Sequence, residues 1–129
     1  MRRVPGLAAL AALGATLLMP LPALAWGALA VSQGDDGAWA YGLVVGRASR
    51  AQASEDAMRI CRNERYGQNC RLISAFSGRC IALAVRDGGN GYGYATHQAE
   101  AEARANARES CLESNPSCTI SASRCDPPQ

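Results

Sequence analysis

An α+β fold is expected for this chain of 129 residues. The specific expectation is a pseudo-symmetric duplication of a β-β-α-β unit: two small three-stranded sheets packed face to face, one helix outside each, stapled by disulfides. Two internal echoes and one set of cysteines lead to it. Cys80-Ile81-Ala82-Leu83-Ala84-Val85 repeats Trp26-Gly27-Ala28-Leu29-Ala30-Val31 almost letter for letter. In the register this sets, Tyr41-Gly42 leads through an alanine-rich segment to Cys61 and then Cys70, and Tyr92-Gly93 leads through a similar one to Cys111 and then Cys118. A unit of roughly 50 residues is thus written twice, repeat one over 26–78 and repeat two over 79–125. All six cysteines fall inside it.

The elements follow in order. Trp26 to Val31 alternates between a face with Trp26, Ala28 and Ala30 and a face with Leu29 and Val31, which suits a short strand. Gln33 to Gly37 is turn chemistry, and Trp39 to Val45 is rich in aromatic and β-branched residues, a second strand. Ser49 with Gln52 fits a capping box for a helix running to about Tyr66 and stopping at Gly67. Glu55 and Asp56 suit its positive end, and Ala53, Ala57 and Cys61 form one face of small side chains. Cys70 to Phe76 is the third strand.

Ser77-Gly78 turns the chain into the second copy. Cys80 to Val85 is its first strand, Asp87 to Gly91 its turn, and Tyr92 to Ala95 a short second strand. Thr96 is the expected N-cap of a helix through about Glu113, with Ala99, Ala103, Ala107 and Cys111 on one face. Asn115-Pro116 ends that helix, Cys118 to Arg124 closes the unit, and Asp126 to Gln129 is expected to fray.

Within each copy a turn pairs the first two strands antiparallel, and a helix lets the second and third run parallel by a right-handed crossover. The first strand then lies in the middle. Alanine faces on helix and first strand permit close helix-on-sheet packing. Leu29, Val31, Ile81, Leu83 and Val85 then need cover on the opposite face, which a second sheet supplies. A single continuous sheet is the alternative.

Residues 1–25 are read as a cleaved secretory signal peptide. Arg2 and Arg3 precede an apolar run from Leu7 to Leu18, Pro20 and Pro22 break any helix, and Ala23-Leu24-Ala25 offers the small residues of a cleavage site. A membrane anchor would need about 20 apolar residues free of such prolines. Trp26 follows the site where a lipoprotein would carry cysteine. Residues 26–129 then form one disulfide-rich domain, secreted or periplasmic, with no membrane anchor after cleavage. Setting Arg2 and Arg3 aside leaves 11 of the 13 basic residues against 11 acidic ones, so the domain is near neutral. Net charge therefore gives no argument for nucleic acid.

Six cysteines in an exported chain of this size read as a disulfide framework, and the thin core needs one. Phe76 is the only phenylalanine, and alanine buries little area. The duplication narrows the pairing. Cys61–Cys70 joins a helix end to the next strand, Cys111–Cys118 does the same in copy two, and Cys80–Cys125 remains. Cys118 and Cys125 have opposite parity along a strand, so that arrangement requires a bulge or an early strand end.

The duplicated cysteine pattern, with Trp-Gly-Ala-Leu-Ala-Val opening it and Cys-Ile-Ala-Leu-Ala-Val in the middle, resembles a family of small secreted bacterial proteins. That family is known as domain of unknown function 4189. The resemblance spans residues 26 to 125 and rests on the alanine-to-cysteine helices ending at Cys61 and Cys111 and on the cysteines at 70, 80, 118 and 125. It implies export and a disulfide-stapled domain, and it carries over no catalytic residue.

The remaining chemistry is sparse. His97 is the only histidine, and helical zinc sites bring two histidines or a cysteine set. No metal ion and no cofactor is expected. A nucleophilic cysteine needs a free thiol beside a base, and no Gly-x-Ser-x-Gly elbow is present. Asp35-Asp36 and Glu55-Asp56 are read as solvated pairs. Gly88 to Tyr94 lacks the spacing and the lysine of a phosphate-binding loop. The candidate contact residues are Trp39, Tyr41, Tyr92 and Tyr94, read either as cover for the core or as an interface. Arg59, Arg62 and Arg65 sit three apart on the first helix, with Arg47, Arg50 and Arg71 near in sequence, and Glu55 is the expected partner of Arg59. They form a solvated face or a modest anion-binding patch. A rigid exported scaffold with loops at 33–38 and 87–94 points to a non-enzymatic binding protein, for instance an inhibitor or immunity partner of a cell-envelope enzyme, with another protein or an envelope component as its partner. An exported effector or a small envelope-acting hydrolase is the alternative.

Overall fold

The computed structural model describes residues 25–34 and 37–128. The signal-peptide reading therefore lies outside the described residues, as do Asp35 and Asp36. Repeat one comprises β1 (Trp26–Gln33), β2 (Trp39–Arg47), α1 (Arg50–Asn63), a single 3₁₀ turn (Gly67–Asn69) and β3 (Arg71–Phe76). Repeat two comprises β4 (Arg79–Arg86), β5 (Tyr92–His97), α2 (Glu100–Leu112) and β6 (Cys118–Asp126). There are two three-stranded sheets, ordered β2-β1-β3 and β5-β4-β6, with every pairing antiparallel.

Three apolar layers result. Ala28 and Ala30 of β1 pack under Ala53, Ala57 and Cys61 of α1. Ala82 and Ala84 of β4 pack under Ala103, Ala107 and Cys111 of α2. Between the sheets lie Leu29, Val31, Phe76, Ile81, Leu83 and Val85. A buried large aliphatic side chain contributes about 1.5–3 kcal/mol and a methyl-sized one well under half of that. Most hydrophobic stabilisation therefore resides between the sheets, and the alanine layers set distance.

The Tyr-Gly pairs explain how close the helices come. A Cβ on Gly42 would lie 2.1 Å from the Ala57 carbonyl oxygen, and one on Gly93 would lie 2.2 Å from the Cys111 nitrogen. In each repeat the helix backbone rests directly on the second strand, where only glycine leaves room.

Disulfides join Cys61–Cys70, Cys80–Cys125 and Cys111–Cys118. Cys80 and Cys125 are cross-strand neighbours, and the β4–β6 register shifts between Leu83 and Ala84. That shift reconciles the parity of Cys118 and Cys125. β1 and β3 shift at the matching place, between Leu29 and Ala30.

Several local expectations are corrected. Thr96 is no helix cap: it is paired with Ile81 in β5, which runs on to His97. Ala99 caps α2 without a side-chain bond, and its N–H donates to His97 Nδ1 at 3.0 Å. α1 ends at Asn63 rather than near Tyr66, because the chain folds back over its end towards Cys70. Gly67 there lies so close that a Cβ would meet the Cys61 carbonyl at 2.0 Å. Ser49 does cap α1, accepting from the Gln52 N–H at 3.1 Å, but the Gln52 amide turns to Asp56. Only half of a capping box forms. Asp126 is not part of a frayed tail. It ends β6 at 1% exposure, and Oδ2 accepts the Gly46 N–H at 2.8 Å, tying the two repeats together.

Candidate binding site

Both β-hairpins point to one end of the sandwich. A Cβ on Gly37 would lie 3.7 Å from the Gly89 Cα, so the two tips touch. The Cys61–Cys70 and Cys111–Cys118 bridges, at the C-terminal ends of the helices, hold the chain segments that return towards these tips.

Two clefts open along the rims between the sheets. The first, about 490 Å³, is lined by Trp39, Tyr41 and Leu43 of β2, Ile60 of α1 and its C-cap Glu64, and Ala122 and Arg124 of β6. The Trp39 and Tyr41 rings stack with centroids 5.6 Å apart and planes 12° from parallel. Alternation along β2 puts both on the inner face, where they flank the inter-sheet layer. The second cleft, about 410 Å³, is lined by Gln33, Asn69, Arg71 and Tyr92 over a floor including Val31 and Ile73. Burial, then the neighbouring Tyr94, push the Tyr92 phenol up, while Arg71 pulls it down. Ser32 holds Asn69 from behind: buried at 1% exposure, its hydroxyl donates to the Tyr66 carbonyl at 2.8 Å and accepts the Asn69 N–H at 3.1 Å.

The structure separates the candidate residues. Trp39 and Tyr41 line one rim and Tyr92 the other, while Tyr94 is 40% exposed one alternation further along β5. Arg59, Arg62 and Arg65 are exposed, and Arg65 stacks over the Tyr66 ring at 5.4 Å. Arg59 pairs not with Glu55 but with Asp56, at 2.9 Å, and Arg47 reaches the same carboxylate at 2.7 Å. Asp56 is 8% exposed, so it is a buried, doubly paired carboxylate and not one of a solvated pair. It lies in the second turn of α1, since the helix begins at Arg50. The pairing engages Arg59, while Arg50 and Arg62 of α1 and Arg65 just past its end are exposed. Sequence reading did not single out Gln33 or Asn69, or give Arg71 more than a place among nearby arginines. The Val31–Arg71 register that assembles them crosses a bulge.

His97 lies at the end of β5 opposite Cys80, away from the hairpin tips. Among the described residues no group of three or more His, Cys, Asp or Glu is arranged to hold a metal ion. No helix among them is long and apolar enough to cross a membrane, and three disulfides fit an oxidising compartment.

Fold and surface together define a two-copy, disulfide-stapled α+β domain whose rims are open at the hairpin end. Residues 26–125 match the domain of unknown function DUF4189, and the chain belongs to that family. Comparisons with curated proteins and with solved structures found no match.

Proposed function

We propose that this is an exported, non-enzymatic binding protein of the periplasm or medium. Its signal segment is residues 1–25, and it acts on another macromolecule as an inhibitor or immunity partner of a cell-envelope enzyme. The observation that carries this reading is the hairpin end. Two touching tips and the two rim clefts beside them are fixed by a buried serine and two disulfides. A surface ordered before contact avoids the entropy of ordering on binding. The stacked Trp39 and Tyr41 offer aromatic area on one rim and Tyr92 on the other, residue types that anchor interfaces. Arg62 and Arg65 add exposed cations on α1 and just past its end.

A pull-down from envelope and culture-medium fractions tests the reading. Recovery of one envelope enzyme, with binding weakened by Arg62→Glu or Tyr92→Ala while all disulfides stay intact, supports it. Glycan or ester hydrolysis by the purified protein, abolished by His97→Ala, overturns it.

A further inference from the structure

The duplication lets one repeat be read against the other at the same place in the fold. Val31 faces Arg71 across the β1–β3 ladder, as Val85 faces Thr119 across β4–β6. Two residues beyond each valine stand Gln33 in repeat one and Asp87 in repeat two. At that place in repeat two the chain supplies its own anion. The Asp87 carboxylate accepts from Ser117 Oγ, and from Thr119 Oγ1 at 2.6 Å. These hydroxyls hold its pKa below the ordinary aspartate value. In repeat one the acid has become the neutral Gln33 and the threonine has become Arg71. The cleft there is lined by Arg71, Tyr92, Gln33 and Asn69, with no acidic side chain among its described lining residues. Arg71 makes no ion pair with a carboxylate among the described residues.

We propose that this repeat-one cleft is a receptor for a carboxylate, the Asp or Glu side chain of the protein partner, which takes the place that Asp87 fills internally in repeat two. The source of the carboxylate rests on the binding-protein reading above; the anion site itself rests on the repeat comparison. Arg71 offers the planar, two-pronged donor geometry that carboxylates prefer. Tyr92 and the two amides supply neutral donors, and Val31 and Ile73 give an apolar floor for the methylenes of a glutamate. A volume of about 410 Å³ admits one side chain. The Ser32 bonds and the Cys61–Cys70 bridge fix the Asn69 wall in advance.

The test is a backbone-amide NMR titration of the oxidised protein with the capped tripeptide acetyl-Gly-Glu-Gly-amide, its Gln counterpart, and glucuronate. The glutamate peptide is expected to shift the signals of Gln33, Arg71 and Tyr92, and the glutamine peptide to leave them in place. Arg71→Gln should weaken the response about tenfold or more, with Arg71→Lys between the two. Gln33→Glu installs the internal acid of repeat two and should abolish peptide binding while raising the melting temperature. Equal response to the glutamine peptide, a response centred on Arg59 and Arg62, or an unchanged response in Arg71→Gln overturns the site. Glucuronate binding more tightly than the peptide overturns a protein source. A recovered partner whose binding ignores Arg71→Gln overturns this site and leaves the binding-protein reading standing. Peptide binding without any recovered partner supports the site and counts against that reading.

Discussion

The ring of Phe76 lies against the α carbon of Gly27, its cross-strand partner: a Cβ on Gly27 would sit 2.3 Å from Phe76 Cζ. At the corresponding pair in repeat two, Ile81 faces Arg124. Ile81 is fully buried and Arg124 is exposed, so bulk moves from the third strand to the first. The inter-sheet layer therefore receives one large apolar side chain per pair, and the duplication is complementary in volume rather than identical in sequence.

Gly27→Ala should drive Phe76 out of its seat, at a cost of about 1–3 kcal/mol for overpacking. Phe76→Ala should cost about 3–5 kcal/mol through the cavity it leaves. The double variant should lose less than the sum, because the added methyl then enters vacated space. Urea unfolding midpoints at unchanged slope measure all three.

Gly42→Ala and Gly93→Ala test the helix seats. The clash partners are backbone atoms, Ala57 O and Cys61 N in one repeat, Cys111 N and Ala107 O in the other. No side-chain rotation relieves them, so the helix must lift. Each variant should lose about 1–3 kcal/mol or more, with near-ultraviolet circular dichroism changing before the far-ultraviolet helix signal does.

Much of the fold was legible because the repeat supplied each element with a second reading. Alternation in β1 and β4 distinguished the alanine face from the Leu29 and Ile81 face, and the need to cover both faces required two sheets. What stayed hidden was set by contacts distant in sequence. Thr96 has the composition of a helix cap, yet the β4 ladder draws it into strand pairing with Ile81. Asp126 precedes two prolines and reads as tail, but it binds Gly46 from the other repeat. Asp56 looks like half of a solvated acidic pair until Arg47 arrives from the end of β2. The rim cleft was hidden for the same reason: Gln33, the Asn69–Arg71 stretch and Tyr92 lie far apart in sequence, and a bulge offsets the β1–β3 ladder.

The three disulfides should not contribute equally. Cys80–Cys125 spans 45 residues of sequence, against 9 for Cys61–Cys70 and 7 for Cys111–Cys118. Loop-closure entropy grows with the chain enclosed, so pairwise replacement by alanine should destabilise most at Cys80–Cys125, within a span of about 2–5 kcal/mol. The two short bridges should matter more for shape. Removing Cys61–Cys70 frees the 3₁₀ turn that carries Asn69, and is expected to weaken the glutamate-peptide response more than its effect on melting temperature alone would predict.

Acid should destabilise this protein through Asp56. The Arg47 hydrogen bond, then the Gln52 bond, hold its carboxyl below the ordinary 3.8; the Arg59 and Arg47 charges add to this, and burial opposes it. In the unfolded chain Asp56 returns to its ordinary value, so just below that pH the unfolded state binds more protons than the native state. Stability then rises with pH through this window. The contribution is complete above the ordinary value, falls as the pH drops through it, and is gone below the lowered native value. Asp87 is shifted in the same direction by Ser117 and Thr119. Melting temperatures recorded from about pH 2 to pH 6 should show a steep acid limb in the native protein. Asp56→Asn should give a shallower limb and a lower plateau, and Asp56→Asn with Asp87→Asn should flatten the limb further. An acid limb undiminished in the double variant would overturn this assignment of the acid sensitivity.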